Sequence, residues 1–231
     1  MRKQNRLFAA LMIVATAILA IAQTDASRYQ LPPKHVIDAF DAPPLPQAIL
    51  SPSKKTLALL YRRPYPTIAE LSRPMLRLAG ARINPKTNGP HRTGLIYAIT
   101  LKRIADGSEA KVTVPAQANI SNVRFSPNGE YLSFLNTTPN GIELWVAYAT
   151  GKARRLSGLD RLNAAGGDPC DWLHDSANLI CGIVAAGRGL PPSEPAVPSG
   201  PNIQENQGKP APAPTFEDLL KTAHDDNLFE Y

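Results

Sequence analysis

Three stretches of this chain place apolar side chains at alternate positions on either side of a short turn. The clearest runs from Val123 to Leu135, Val-Arg-Phe-Ser-Pro-Asn-Gly-Glu-Tyr-Leu-Ser-Phe-Leu. Phe125 ends one strand, and Leu132 and Phe134 share a face of the next, at the period of two that a pleated strand imposes. Pro127 presets φ at the second turn position, Asn128 tolerates the third, and Gly129 supplies the left-handed residue of a bulged hairpin loop. Ile142 to Tyr148 reads as a third strand, Gly151 as a turn, and Ala153 to Leu156 as the start of a fourth. Four antiparallel strands in succession are the unit from which β-propellers are built.

Two further copies flank this one. Ile49 to Leu59 keeps Ser51-Pro52 and the Leu57/Leu59 alternation but has no glycine in the turn. Asp171 to Cys181 places Trp172 where Phe125 sits and Leu179 where Leu132 sits, with neither proline nor glycine. The second and third copies are 47 residues apart, the length of one four-stranded repeat, whereas the first and second are 75 apart. The surplus falls at about 63–92, where prolines interrupt the strand pattern and Thr67-Ile-Ala-Glu70 resembles a capping box opening a short helix that Pro74 ends. Strands resume at Gly94–Leu101 and again at Ala110–Val114. The expected fold is all-β: an incomplete β-propeller of roughly two to three blades, with short helices, a proline-rich segment and an N-terminal signal helix.

The ends of the chain differ in character from its middle. Arg2, Lys3 and Arg6 precede a sixteen-residue apolar run from Leu7 to Ala22, and Ala20-Ile-Ala22 offers a small-x-small cleavage pattern between Ala22 and Gln23. That run is short of the ~20 residues a spanning helix needs, so residues 1–22 read as an export signal that leaves no stable membrane span once removed. Its loss lowers the formal net charge from +6 to +3, too mild a balance to indicate nucleic acid. Residues 23–48 form a proline-rich arm in which His35–Phe40 has room for a turn or two of helix. The repeats occupy 49–189. Residues 190–214, with eight prolines, read as a surface loop. Residues 215–231 read as a short helix over Phe216–Ala223, capped by Thr215, and an apolar ending that looks interrupted.

Cys170 and Cys181 flank the third hairpin as a directly opposed pair, close enough for a disulfide in an oxidising compartment; two buried free thiols are the alternative. With His174 they could instead be metal ligands, a weak pattern without a second Cys or His pair. Asp225 and Asp226 with Glu230 could be a carboxylate pair, but acidic residues at a helix end are usually solvated. Arg154-Arg155 could face an acidic substrate in a central channel. Asn119-Ile-Ser121 and Asn136-Thr-Thr138 match the glycosylation pattern.

The longer motifs carry a family resemblance. Glu70-Leu-Ser-Arg-Pro-Met-Leu-Arg-Leu-Ala-Gly-Ala-Arg-Ile-Asn-Pro85, Asn88-Gly-Pro-His-Arg92, Val197–Asn206, Thr215–Lys221 and Leu228–Tyr231 resemble landmarks of the prolyl oligopeptidase family of serine peptidases, in particular its glutamyl endopeptidase branch. The resemblance implies an N-terminal propeller gating a separate α/β-hydrolase domain. No serine here has glycine at both minus two and plus two, as a nucleophile elbow requires, and no family catalytic residue maps onto His35, His91, His174 or His224. The chain is thus expected to be a non-catalytic propeller fragment of an exported (periplasmic or extracellular) peptidase. Its partners would be a peptide or protein substrate and a hydrolase domain supplied by a downstream frame, with no cofactor and no metal. The alternative is a free-standing exported interaction module.

Overall fold

The computed structural model describes residues 31–92, 94–156, 158, 161–197, 200, 208 and 219–231; the predicted signal and most of the proline-rich loop lie outside them. The chain divides into two units at Ala42/Pro43. In the first, helix α1 (Lys34–Phe40) follows Pro33 and carries an i,i+4 pair between Lys34 and Asp38 at 2.7 Å. The second unit is mostly β-sheet with two short helices.

Its largest sheet has eight strands. β1 (Gln47–Leu50), β2 (Thr56–Arg62), β6 (Ile96–Arg103) and β7 (Glu109–Lys111) form one antiparallel group, and β8 (Ile120–Phe125), β9 (Tyr131–Thr138), β10 (Gly141–Tyr148) and β11 (Ala153–Arg155) form a second. A single register pair, Ile96↔Ile120, joins the two groups. Separate four-stranded sheets were expected from the sequence, and this bridge instead joins the two groups into one sheet. Strands β12 (Cys170–Trp172) and β13 (Leu179–Cys181) make a two-stranded sheet of their own.

The 63–92 segment departs from expectation. It contains the predicted capping box, with Thr67 and Glu70 closing helix α2 (Ile68–Leu71) reciprocally. Yet it also forms a three-stranded sheet of β3 (Leu76–Leu78), β4 (Ala81–Asn84) and β5 (Gly89–Pro90). The prolines were read as excluding strands, but Pro90 stands on an edge strand, where its missing N–H costs no ladder bond. This small sheet reaches past its own group: Asn88 O accepts from Ala164 N at 2.9 Å, and the Asn88 amide donates to Asn163 Oδ1 at 2.7 Å.

The final helix is shifted from the predicted Phe216–Ala223. Thr215 to Asp218 lie outside the described residues, and Leu219–Thr222 are not helical. Helix α3 (Ala223–Glu230) starts instead after Thr222, whose hydroxyl accepts from Asp225 N at 3.1 Å while the Asp225 carboxylate accepts from Thr222 N at 3.0 Å. Thr222 and Asp225 satisfy two donors reciprocally, and this second capping box sets the helix start.

Two apolar clusters lie on opposite faces of the second group. Leu132 and Phe134 of β9 and Ala147 of β10 join Ala58, Leu60, Ile99 and Leu101 of the first group. Leu135, Ile142 and Leu144 face the other way, onto Leu162 and Ala164, with Cys170, Leu179 and Cys181 packed beside them. Strand β9 is therefore buried from Leu132 to Thr137 on both sides.

Candidate functional site

The three hairpins recognised by alternation close with the same backbone turn. Ser51 N donates to Thr56 O, Ser126 N to Tyr131 O and Leu173 N to Asn178 O, each at 2.9 Å. The fourth turn residue is left-handed in all three: Lys54 at φ 58°, Gly129 at φ 77° and Ser176 at φ 59°. In the first two, the buried serine hydroxyl also accepts the returning strand's N–H, from Thr56 at 3.1 Å and Tyr131 at 3.0 Å. In the third, Asp175 takes over, accepting from Ala177 N and Asn178 N at 3.0 Å. The Asn178 side chain, with these N–H groups, holds the Asp175 carboxyl below its ordinary 3.8. The turn thus survives loss of Pro and Gly because another side chain supplies the acceptor.

The hairpin tips lie side by side in chain order. A Cβ built on Gly129 would sit 2.7 Å from Ser53 Oγ of the first tip, and Asn128 N donates to Ser176 Oγ of the third at 2.9 Å. Behind the tips, Arg124 on β8 pairs with both Asp168 and Asp171, and the Asn122 amide donates to Asp168. Trp172 Nε1 donates to Ser133 Oγ at 2.8 Å, and its ring stacks on Tyr131 at 6.2 Å. Residues 168–172 of the third repeat thus meet β8 and β9 of the second along a charged, aromatic seam.

The residues singled out from sequence are placed differently. Arg154 and Arg155 lie on β11, the outermost strand of its group, where Arg155 pairs with Glu143 at 3.2 Å. Arg124, which no sequence signal marked, lies on β8 between β6 and β9 and carries the contacts to Asp168 and Asp171. Cys170 and Cys181 are register partners with Cα atoms 4.2 Å apart, joined as a disulfide, which removes both sulfurs as metal ligands. Among the described residues no cluster of three metal-ligating side chains occurs. Asp225 is occupied as a helix cap, not paired with Asp226 for proton transfer. Both glycosylation patterns are internal. Asn119 and Asn136 are each 4% exposed, and the Asn136 amide is held by Glu143 and by Asn119 N.

Two other polar groups stand out. Glu70 receives the Arg63 guanidinium bidentately, at 2.8 and 3.1 Å, together with Thr67 N at 2.7 Å and the Asn119 amide at 3.2 Å. Arg63 holds the Glu70 carboxyl down to about 2 from its ordinary 4.5, against the opposing pull of burial, and the Thr67 N–H and hydroxyl lower it further. A depressed carboxyl pKa contributes stability that is fully present above pH 4.5 and is lost as pH falls toward 2. Glu70→Gln is therefore expected to flatten the loss of stability between pH 5 and pH 2, measured by urea unfolding at each pH. An unchanged slope would show that the pair contributes nothing to folding.

A cavity of about 650 Å³ lies between β3–β4, residues 161–166 and α3. Its walls are mainly apolar, including Leu76, Ile83, Leu228 and Phe229. Arg188 is its clasp. Its guanidinium lies 3.8 Å from the Tyr231 ring centroid and donates to Asn88 Oδ1 at 2.9 Å and to Tyr231 O at 3.2 Å. Asn88, Asn163 and the Arg188 terminal nitrogen are engaged within the chain, whereas Arg188 Nε is buried without a hydrogen-bond partner. Among the described residues no histidine side chain hydrogen-bonds a hydroxyl or carboxylate.

No family model matches the chain. It is 38% identical over 218 residues to a probable glutamyl endopeptidase, chloroplastic, of Oryza sativa subsp. japonica, and 35% identical over 216 residues to the protein of the same description from Arabidopsis thaliana. Both alignments cover 88% of this chain. The chain spans only 23% and 22% of those relatives' lengths. Both relatives are described as chloroplastic, and among the described residues no helix is long and apolar enough to cross a membrane.

Proposed function

We propose that residues 49–189 form an arc of a β-propeller belonging to an exported serine peptidase of the glutamyl endopeptidase kind. Its role there is to control which peptides reach a hydrolytic portion that these residues do not encode. The observation that carries this reading is the 38% identity sustained over 218 residues to a protein named as a glutamyl endopeptidase. Three hairpins with one turn geometry, tips in sequence and sheets layered face to face support the propeller component, because repeats that stack only on their neighbours build such arcs. In a closed ring the Arg124–Asp171 pair, joining β8 to β12, would line the channel, with Asp168 just before β12. The basic, apolar start of the chain and its paired cysteines support export.

The test is serine-hydrolase profiling of the exported fraction with a fluorophosphonate, followed by immunoprecipitation with an antibody to residues 31–92. The expected result is a labelled species much larger than 25.0 kDa that contains peptides of this chain. Labelling at 25.0 kDa would make this chain the hydrolase itself and overturn the assignment of catalysis elsewhere. An unlabelled precipitate at every size would leave the free-standing interaction module and end the peptidase reading.

A further inference from the structure

We propose that the Cys170–Cys181 disulfide is a redox latch. Its reduction by a dithiol opens the third hairpin and its neighbouring segment while the eight-stranded sheet stays folded.

The hairpin is poorly held by its own strands. β12 and β13 have three residues each and three register pairs, and none of those six residues is fully buried. A two-stranded hairpin of this size is marginal without outside support. Much of its support is polar and on the seam: Trp172 on Ser133, Asp171 on Arg124, Ser176 on Asn128. Its apolar support is the smaller cluster, which Cys170, Leu179 and Cys181 join from the edge. The larger cluster takes no residue beyond Ala153, so the main core does not depend on the bridge.

The bridge closes a loop with a sequence separation of 11. Cutting a loop of that length restores chain entropy equivalent to roughly a hundredfold gain in the open population. The opening would not stop at the hairpin. Gly182 N bonds Pro169 O at 2.7 Å, Asn163 N bonds Gly182 O at 3.0 Å, and Leu162 pairs with Ile183. Ala164 and Asn163 in turn anchor Asn88 of the small β3–β5 sheet. One bond therefore governs a chain of contacts running from the third repeat back to the insertion of the first.

The chemistry is thiol–disulfide exchange. A thiolate of the dithiol attacks one bridge sulfur, breaking the S–S bond and forming a mixed disulfide. Its second thiol then displaces the remaining cysteine. Two electrons and two protons pass to Cys170 and Cys181, and the reductant leaves as its own cyclic disulfide.

The test is amide hydrogen exchange on the full chain with and without dithiothreitol, alongside thiol mapping. Exchange at Leu173, Gly182 and Ala164 is expected to rise about hundredfold on reduction, with Leu132 to Asn136 unchanged because β8 and β10 still flank β9 with their backbone ladders. The double variant Cys170→Ser/Cys181→Ser should show the reduced pattern whether or not reductant is present. Unchanged exchange on reduction would make the bridge inert. Loss of protection in β9 as well, in the reduced protein or in the variant, would make it a staple of the whole fold. Two free thiols before reduction would remove it altogether. Each of these three results overturns the latch.

Discussion

Phe134→Ala is expected to lower the unfolding free energy by about 3–5 kcal/mol, the range for deleting a buried aromatic ring. Phe134 is fully buried in β9, stacked on Trp145 at 6.2 Å, and belongs to the cluster shared by the two four-stranded groups. Removing it leaves a void where neither four-stranded group can collapse without disturbing the other. Because both groups line that void, the loss should appear as one cooperative transition. Urea unfolding followed by circular dichroism and by tryptophan fluorescence reads it. A loss below about 1 kcal/mol, or probes that separate, would mean that the groups do not share a core.

Gly151→Ala is expected to cost about 2–5 kcal/mol, from two independent causes. Gly151 is left-handed at φ +82°, where an alanine costs about 1–2 kcal/mol. An added Cβ would also lie 2.3 Å from Lys111 O, a backbone atom of β7, and the resulting overpacking costs about 1–3 kcal/mol more. Gly151 O accepts from Thr113 N at 2.8 Å, so this turn of the second group is docked against the first. Gly107→Ala is the control. Gly107 is also left-handed, at φ +71°, with nothing within 4 Å of an added Cβ. It should lose only the conformational part. Equal losses in the two variants, measured by urea unfolding, would show that the docked turn contributes nothing.

Much of the strand pattern was legible because it is local. Period-two alternation and the Ser-Pro-Asn-Gly turn gave β9 and its partners nearly to their observed ends, and Thr67–Glu70 gave helix α2. The failures have physical reasons. Leu132 and Phe134 marked one buried face of β9, but Ser133, Leu135 and Thr137 are buried too. Their burial depends on residues 162–181 arriving from the next repeat, which alternation within β9 cannot report. The small β3–β5 sheet was missed because its strands are short and flanked by prolines, and it is held by Ala164 and Asn163, far along the chain. Helix α3 was misplaced because two threonine caps compete within eight residues.

Residue order by itself determined the hairpin strands, their turns and the opposed cysteines, since each follows from steric and hydrogen-bonding preferences spanning a few positions. Only the tertiary structure decided that Arg124 meets Asp168 and Asp171 along the seam, that Asn119 and Asn136 are internal, and that one bridge pair fuses two groups into one sheet. Those outcomes turn on which elements face each other across tens of residues. Burial and charge pairing at such distances are properties of the packed chain that no local pattern encodes.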